Sequence, residues 1–300
     1  MIRNCMNGWL RGIIPLVTLT VLAVSAPWSA TLRAQDEDEE SKSEPARAEA
    51  APAPMPKRGV SSAEGGAIYR ASCGTCHGMQ GAGDGPEASG FAFPATDFRQ
   101  GVYKLRSTAY EKLPTDDDLV RTIREGMPGT EMPPFRKILT GQSIRRVAAY
   151  IKSFSPRFVN PEDAIDPKAD RVEVPAARPF EPSEESAAAG AQVYQREECG
   201  TCHGDNGDGQ GADAAGMTDD WDRPIHMLDW SRGVFKSGSR DQDLYRSIVS
   251  GMNGTPMEGY RDDTTDAERW QLVDFIRSLE SGKGPIDYLF AEQPSGTNYR

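Results

Sequence analysis

Apolar residues recur at the three- and four-residue spacing of amphipathic helices in four segments, which form two repeating pairs. A short helix is predicted over residues 116–125 and again over 243–250, each starting at an Asp and ending before a Gly. A longer helix is predicted over residues 142–154 and again over 266–279. The apolar stripes are Leu119, Val120 and Ile123, then Leu244, Ile248 and Val249, then Val147, Tyr150, Ile151 and Phe154, then Trp270, Leu272, Val273, Phe275, Ile276 and Leu279.

The segments around these helices repeat as well, so the chain contains two copies of one unit. The aligned pairs are Gly65–Tyr69 with Gly190–Tyr194, Asp97–Lys104 with Asp229–Lys236, and Gly126–Pro133 with Gly251–Glu258. We expect one domain over residues 61–155 and a second over 183–280, joined by a Pro-rich linker over 156–182. Residues 35–60 are predicted to be a disordered acidic and Pro-Ala tether, and 281–300 a polar tail.

Each copy carries the pentapeptide Cys-x-x-Cys-His, once at residues 73–77 and once at 199–203. This pattern is the attachment signal for c-type haem. Two thiols with this spacing add across the two vinyl groups of the porphyrin, and the following His becomes the proximal iron ligand. The sequence therefore predicts two covalently bound haems. Their attachment residues are Cys73, Cys76, Cys199 and Cys202, with His77 and His203 as axial ligands.

Other interpretations of the cysteines explain the pattern less well. A thioredoxin-like Cys-x-x-Cys normally occurs once within a βαβ pattern, which is lacking around both copies. A zinc site would require both copies to converge on one metal, although each copy lies in its own repeat. Structural disulfides leave the His after each pair unexplained.

A second ligand for each iron is expected from the loop that follows each short helix. A thioether opposite the His gives a closed, high-potential electron carrier. Met132 and Met257, which follow Gly-Thr-x, are the predicted ligands, whereas Met127 and Met252 directly follow the helix-ending Gly and are expected to pack in the core. Three basic side chains, Lys104, Arg106 and Lys236, are candidate contacts of the haem propionates, with solvated cations as the alternative.

The amino terminus has the composition of a secretory signal over residues 1–34. Basic residues precede an apolar run over 13–24, which is shorter than the roughly 20 residues of a spanning helix. An uncleaved anchor is the alternative, because the candidate cleavage positions Ala30 and Ala34 have Trp28 and Leu32 at their −3 sites, where a small residue is preferred. The net charge is −11, and loss of residues 1–34 leaves 31 basic against 45 acidic residues. Binding of nucleic acid through bulk charge is therefore not expected.

The order of helix, Cys-x-x-Cys-His, short helix, Met loop and final helix resembles the class I c-type cytochromes, and two in a row resemble tandem dihaem cytochromes. The resemblance covers residues 61–155 and 183–280. It implies an all-α fold in which the first and last helices of each domain cross and the haem fills the core. Met132-Pro133 matches the family's distal motif, whereas Met257-Glu258 departs from it.

The resemblance implies an exported, periplasmic or otherwise extracytoplasmic electron carrier. Its expected partners are redox proteins: a quinol-oxidising complex, a dehydrogenase or a terminal oxidase. A dihaem peroxidase is the alternative from the enzyme class, but it needs one haem with an open distal position. A third interpretation is a permanent cytochrome subunit of an oxidase or dehydrogenase, which differs in partner and not in chemistry.

Overall fold

The computed structural model describes residues 60–280, and these belong to one compact unit. The predicted signal or anchor, the tether up to residue 59 and the tail 281–300 lie outside the described residues. Among the residues that were described, none of the helices has the length and apolar character needed to cross a membrane.

The described chain is helical. Its α-helices are α1 Val60–Ser72, α2 Gly74–His77, α3 Asp116–Glu125, α4 Gly141–Lys152, α5 Glu184–Arg196, α6 Gly200–His203, α7 Asp241–Ser250 and α8 Asp266–Ser278. Short 3₁₀ helices lie at Ala88–Gly90, Phe98–Gln100, Phe135–Lys137, Pro156–Val159, Pro161–Asp163 and Trp230–Arg232. Extended pairing within residues 60–280 is limited to isolated bridges, Thr108 with Arg171 and Thr218 with Pro224.

The two copies fold alike, which confirms the predicted all-α class with two tandem domains. The first helix packs on the last in each copy, α1 on α4 and α5 on α8, and the middle helices α3 and α7 pack on the same last helices. Each domain has its own buried apolar cluster. The central members are Tyr69, Phe98, Leu119, Ile144 and Val147 in the first domain, and Tyr194, Phe235, Leu244, Trp270 and Val273 in the second.

The starts of the short helices differ from the prediction that an Asp caps each one. Thr115 caps α3 in a capping box with Asp118, so Asp116 is the first helical residue. Helix α7 begins two residues earlier than predicted, after Arg240. The carboxylate of Asp243 does not cap it, because it accepts hydrogen bonds from the guanidinium groups of Arg240 and Arg246.

The segment predicted as a linker is packed against both domains instead of lying free. The amide of Val172 donates to Ser107 O at 3.0 Å, and the amide of Ala109 donates to Asp170 O at 2.7 Å. The Val172 side chain is buried in the second core. Residues 170–172, called the strap below, are therefore held between the two domains because one apolar side chain and two backbone hydrogen bonds fix them.

Both helix crossings depend on a glycine at the point of closest approach. A Cβ added to Gly65 of α1 would overlap the carbonyl oxygen of Arg146 in α4, and one added to Gly190 of α5 would overlap that of Gln271 in α8. The obstructing atoms are backbone, which cannot turn aside as a side chain can. The helix axes can come this close only without a side chain at these positions.

We predict that Gly190→Ala destabilises the second domain by about 1–3 kcal/mol, because the added methyl group forces α5 and α8 apart. Chemical denaturation of the holoprotein measures the effect. Ala188→Ser, on the exposed face of the same helix, should change the free energy of unfolding by less than about 0.5 kcal/mol. Equal effects of the two substitutions would contradict the close crossing.

Two candidate haem sites

Each Cys-x-x-Cys-His pentapeptide forms one helical turn directly after the first helix of its domain. The amide of His77 donates to Cys73 O at 2.9 Å, and the amide of His203 donates to Cys199 O at 3.0 Å. Side chains three residues apart on a helix share a face, so this turn brings the two cysteines of each copy to one side. A buried tyrosine anchors the end of each turn, since Tyr69 Oη donates to Gly78 O and Tyr194 Oη to Gly204 O.

The four cysteines of the described chain are free thiols. Burial raises the pKa of Cys73 to about 12 and that of Cys199 to about 11. Nor do residues 60–280 bring three or more His, Cys, Asp or Glu side chains together around a possible metal ion. The two copies are thus separate sites, each with its own pair of unpaired sulfurs.

Two contacts orient the first imidazole, one with an aromatic ring and one with a backbone carbonyl. The His77 ring stacks on Phe98 with 4.4 Å between the ring centroids. Its Nδ1 lies 3.1 Å from Thr96 O. A carbonyl can only accept, so Nδ1 carries the proton and Nε2 keeps the lone pair that iron requires.

The second imidazole also stacks on an aromatic side chain. His203 stacks on Trp230 at 4.0 Å, and Trp230 is the counterpart of Phe98. Its Nδ1 is buried and, unlike Nδ1 of His77, makes no hydrogen bond within the described residues. Burial, and then the charge of Lys236, lower its pKa to about 4.

Burial also lowers the pKa of His77. Both imidazoles are therefore neutral near pH 7, which is the ligating form. A half-buried neutral imidazole beside two thiols fits a covalently attached haem in both domains.

The Met loops are built identically in the two domains. A glycine with positive φ ends the preceding helix, Gly126 at +70° and Gly251 at +65°. The loop then closes on itself, because the amide of Met127 donates to Met132 O at 3.0 Å and the amide of Met252 donates to Met257 O at 2.8 Å.

A threonine inside each loop explains the shared Gly-Thr-x-Met pattern. Thr130 Oγ1 donates to Met127 O at 2.7 Å and accepts from the amide of Met132. Thr255 makes the same pair of bonds with Met252 and Met257 in the second loop. The Met132 side chain packs against the cluster that contains Cys73. This contact supports Met132 as a ligand, and the assignment of Met132 and Met257 remains a proposal.

The candidate propionate contacts lie near the junction of the two domains. Burial lowers the pKa of Lys104, and burial with the nearby charge of Lys104 lowers that of Lys236 to about 7. Both side chains are half-buried, and the carboxylates of Asp219 and Asp220 near Lys104 and of Glu131 near Lys236 partly offset their charges. Haem propionates would be further anions for these two groups, and the propionate role of the two lysines stays a proposal.

Arg106 differs from the two lysines because its guanidinium is already engaged. It is 1% exposed, and its nitrogens donate to the carbonyls of Lys104, Ala109, Ser250 and Gly251. Two of these carbonyls belong to the other domain. Its propionate contact stays a prediction, whereas its contact between domains is a feature that sequence reasoning missed.

Two further residues of the domain junction were not singled out from the sequence. Tyr110 Oη donates to Thr255 O at 3.1 Å. The Asn253 side chain accepts from the amide of Glu111 at 2.7 Å and donates to Lys112 O at 3.1 Å. The only sequence signal was the Asn itself, which occupies the place of Pro128 in an otherwise matching loop.

A pair of small helical domains, each with two thiols, a half-buried neutral imidazole and a methionine loop, defines a tandem c-type cytochrome. Comparison with known families agrees. The family model "Cytochrome C oxidase, cbb3-type, subunit III" matches residues 61–151, and the model "Cytochrome c" matches residues 187–280.

One similar curated protein is the Cbb3-type cytochrome c oxidase subunit CcoP of Azospirillum sp. (strain B510), 29% identical over 233 residues. The match covers 75% of this chain but only 64% of that protein's length. A solved structure, the Kuenenia stuttgartiensis reducing HAO-like protein complex Kustc0457/Kustc0458, contains a chain that is 36% identical with a TM-score of 0.68. That match covers 76% of this chain and 99% of the Kuenenia chain.

The chain belongs to the c-type cytochromes, and its two tandem cytochrome c domains carry two covalently bound c-type haems. The predicted family and cofactor are thus confirmed.

We predict that Met257→Ala removes half of the near-infrared band that reports Met–iron bonds in the oxidised protein and lowers the potential of one haem, because a thioether no longer stabilises reduced iron there. Met252→Ala should keep the whole band. It should cost less than the roughly 2–5 kcal/mol of a fully buried methionine, since Met252 is half-buried. The reverse pattern would show that the other sulfur is the ligand, and Met132 would then need the same test.

Proposed function

We propose that the protein is an exported dihaem cytochrome that passes single electrons between redox proteins of a respiratory chain. The observation that carries this proposal is that both domains pair a half-buried neutral imidazole with a methionine loop of the same construction. Such a pair supplies two protein ligands to each iron and leaves no position for a substrate.

In this proposal each residue type has a separate role. Cys73, Cys76, Cys199 and Cys202 attach the haems, and His77 and His203 are the proximal ligands, with Met132 and Met257 as the distal ones. The bound haems supply one-electron chemistry between two oxidation states of iron. Burial, hydrogen bonding and ligand orientation by the protein set the potentials.

The comparisons favour a larger redox assembly as the site of action. One relative is named as a subunit of a cbb3-type oxidase, and the similar solved chain comes from a complex of an HAO-like protein. We propose that this protein likewise serves a terminal oxidase, a quinol-oxidising complex or a dehydrogenase, either as a subunit or as a soluble carrier. Its net charge of −11 favours a partner with a basic docking face.

We also propose an extracytoplasmic location, with residues 1–34 acting as a secretory signal or as an amino-terminal anchor. Likeness to CcoP supports this location. The basic and then apolar order of residues 3–24 has the form of an export segment. In this proposal the membrane is contacted only when the amino-terminal segment is retained.

The competing peroxidase function requires one haem whose distal position is open or opens on demand. Both Met loops are closed by the same Thr-centred hydrogen bonds, and this argues for two six-coordinate haems. We therefore favour an electron carrier over a peroxidase.

Accordingly, the reduced protein should bind carbon monoxide at neither haem near neutral pH, because thioether sulfurs occupy both distal positions. The visible spectrum of the reduced protein under carbon monoxide measures this. Met257→Ala is the positive control and should bind about one equivalent. Rapid binding of one equivalent by the unaltered protein would instead favour the peroxidase.

A further inference from the structure

The second Met loop has fewer prolines than the first. The first loop carries Pro128, Pro133 and Pro134, and the aligned positions of the second are Asn253, Glu258 and Gly259, whereas Pro256 stands in place of Glu131. Proline fixes φ and reduces the number of conformations that a loop can adopt. With one proline instead of three, the second loop depends more on restraint from elsewhere to hold its sulfur.

That restraint comes from the first domain, through residues 106–112, which we call the clamp. Clamp residues and the second loop exchange five hydrogen bonds across the domain junction. These run from Arg106 to Ser250 O and Gly251 O, from Tyr110 to Thr255 O, from the Glu111 amide to Asn253 Oδ1, and from Asn253 Nδ2 to Lys112 O. They reach the start, the middle and the threonine of the loop.

Arg106 acts where the loop leaves its helix. Ser250 is the last residue of α7 and Gly251 is its C-cap, so their carbonyls face away from the helix without intrahelical partners. A cation is stabilised at this negative end of the helix dipole. Burial lowers the pKa of Arg106 to about 10, which still leaves it protonated near pH 7.

The clamp is itself fixed within the first domain. The amide and hydroxyl of Ser107 donate to the buried carboxylate of Asp118 in α3, at 2.8 Å and 3.0 Å. The strap holds its other edge, through Asp170 and Val172. The clamp therefore presents its donors from a supported position and loses little entropy on contact with the loop.

The second domain offers no equivalent of Arg106 to the first loop. Two residues after Lys104 the first domain has Arg106, and two residues after Lys236 the second has Gly238. The two loops are thus restrained differently: the first has more prolines and packs at Gly129 against Leu228 and Val234 of the second domain, whereas the second receives the five hydrogen bonds of the clamp.

From this arrangement we infer that the clamp positions Met257 at the second haem, so that ligation of that haem depends on the first domain. Arg106, Tyr110 and Asn253 are positioning residues, since none of them is proposed to touch iron. The inference rests on the proposal that Met257 is the ligand.

The experiment compares the oxidised holoprotein with Asn253→Ala, Arg106→Gln and Tyr110→Phe. Tyr110→Phe removes one hydroxyl and keeps the ring, so it tests the clamp even if loss of the buried guanidinium prevents folding. Tyr245→Phe is the matched control, because its hydroxyl donates to Asp266 in the same domain but not to the loop. Met257→Ala provides the reference for loss of the sulfur.

Hydrogen exchange of the amides over residues 252–257 measures restraint of the loop independently of the haem spectrum. We expect exchange to quicken about tenfold in Asn253→Ala and a few-fold in Tyr110→Phe, in line with the hydrogen bonds removed. It should stay unchanged in Tyr245→Phe. In the clamp variants the near-infrared band should weaken, and the reduction potential of one haem should fall. The affected haem should be the one that Met257→Ala alters.

Two outcomes separate the clamp from the ligand assignment. If Met257→Ala keeps the full near-infrared band, the assignment of the sulfur is wrong, whatever the clamp variants do. If Met257→Ala loses half of the band while the clamp variants keep exchange, band and potential unchanged, the clamp inference is overturned and the ligand stands. Faster exchange without any change at the second haem would also overturn it.

Discussion

The close crossing of the first and last helices is the contact on which each domain depends. Gly65 and Gly190 let the two helices meet backbone to backbone, and the Cys-x-x-Cys-His turn follows directly from the first of them. The crossing therefore positions the turn, while stacking on Phe98 or Trp230 orients the imidazole that the turn carries. A domain of fewer than about 100 residues has little apolar core of its own, so a haem held against these helices completes the core as well as the redox site.

The sequence alone predicted much of what lies within a single repeat. Period-3.6 stripes located the long helices, and two pentapeptides predicted the haem attachment residues. The prediction that an Asp caps each short helix was wrong, because Thr115 is the N-cap of α3 and because the carboxylate of Asp243 pairs with two arginines. Propensity at one position cannot anticipate such partners.

The junction between the domains was beyond sequence reasoning for a different reason. Arg106 and its carbonyl partners at 250 and 251 are separated by more than 140 positions, and neither has a local pattern that marks it. The linker was predicted from its prolines, although Val172 within it is buried in the second core. Only the repeat alignment hinted at the junction, through the exchange of Pro128 for Asn253.

That exchange has a thermodynamic consequence. Prolines restrain a loop by limiting the unfolded chain, so the larger number of prolines gives the first loop more restraint of its own. Hydrogen bonds to the clamp restrain the second loop only while the two domains are docked, so that restraint belongs to the pair. Coupling of this kind needs no change of shape. If the clamp positions Met257 as inferred, an event that loosens the junction would weaken the restraint on the second loop more than that on the first, and the two haems of a nearly symmetric protein would respond differently to the same disturbance.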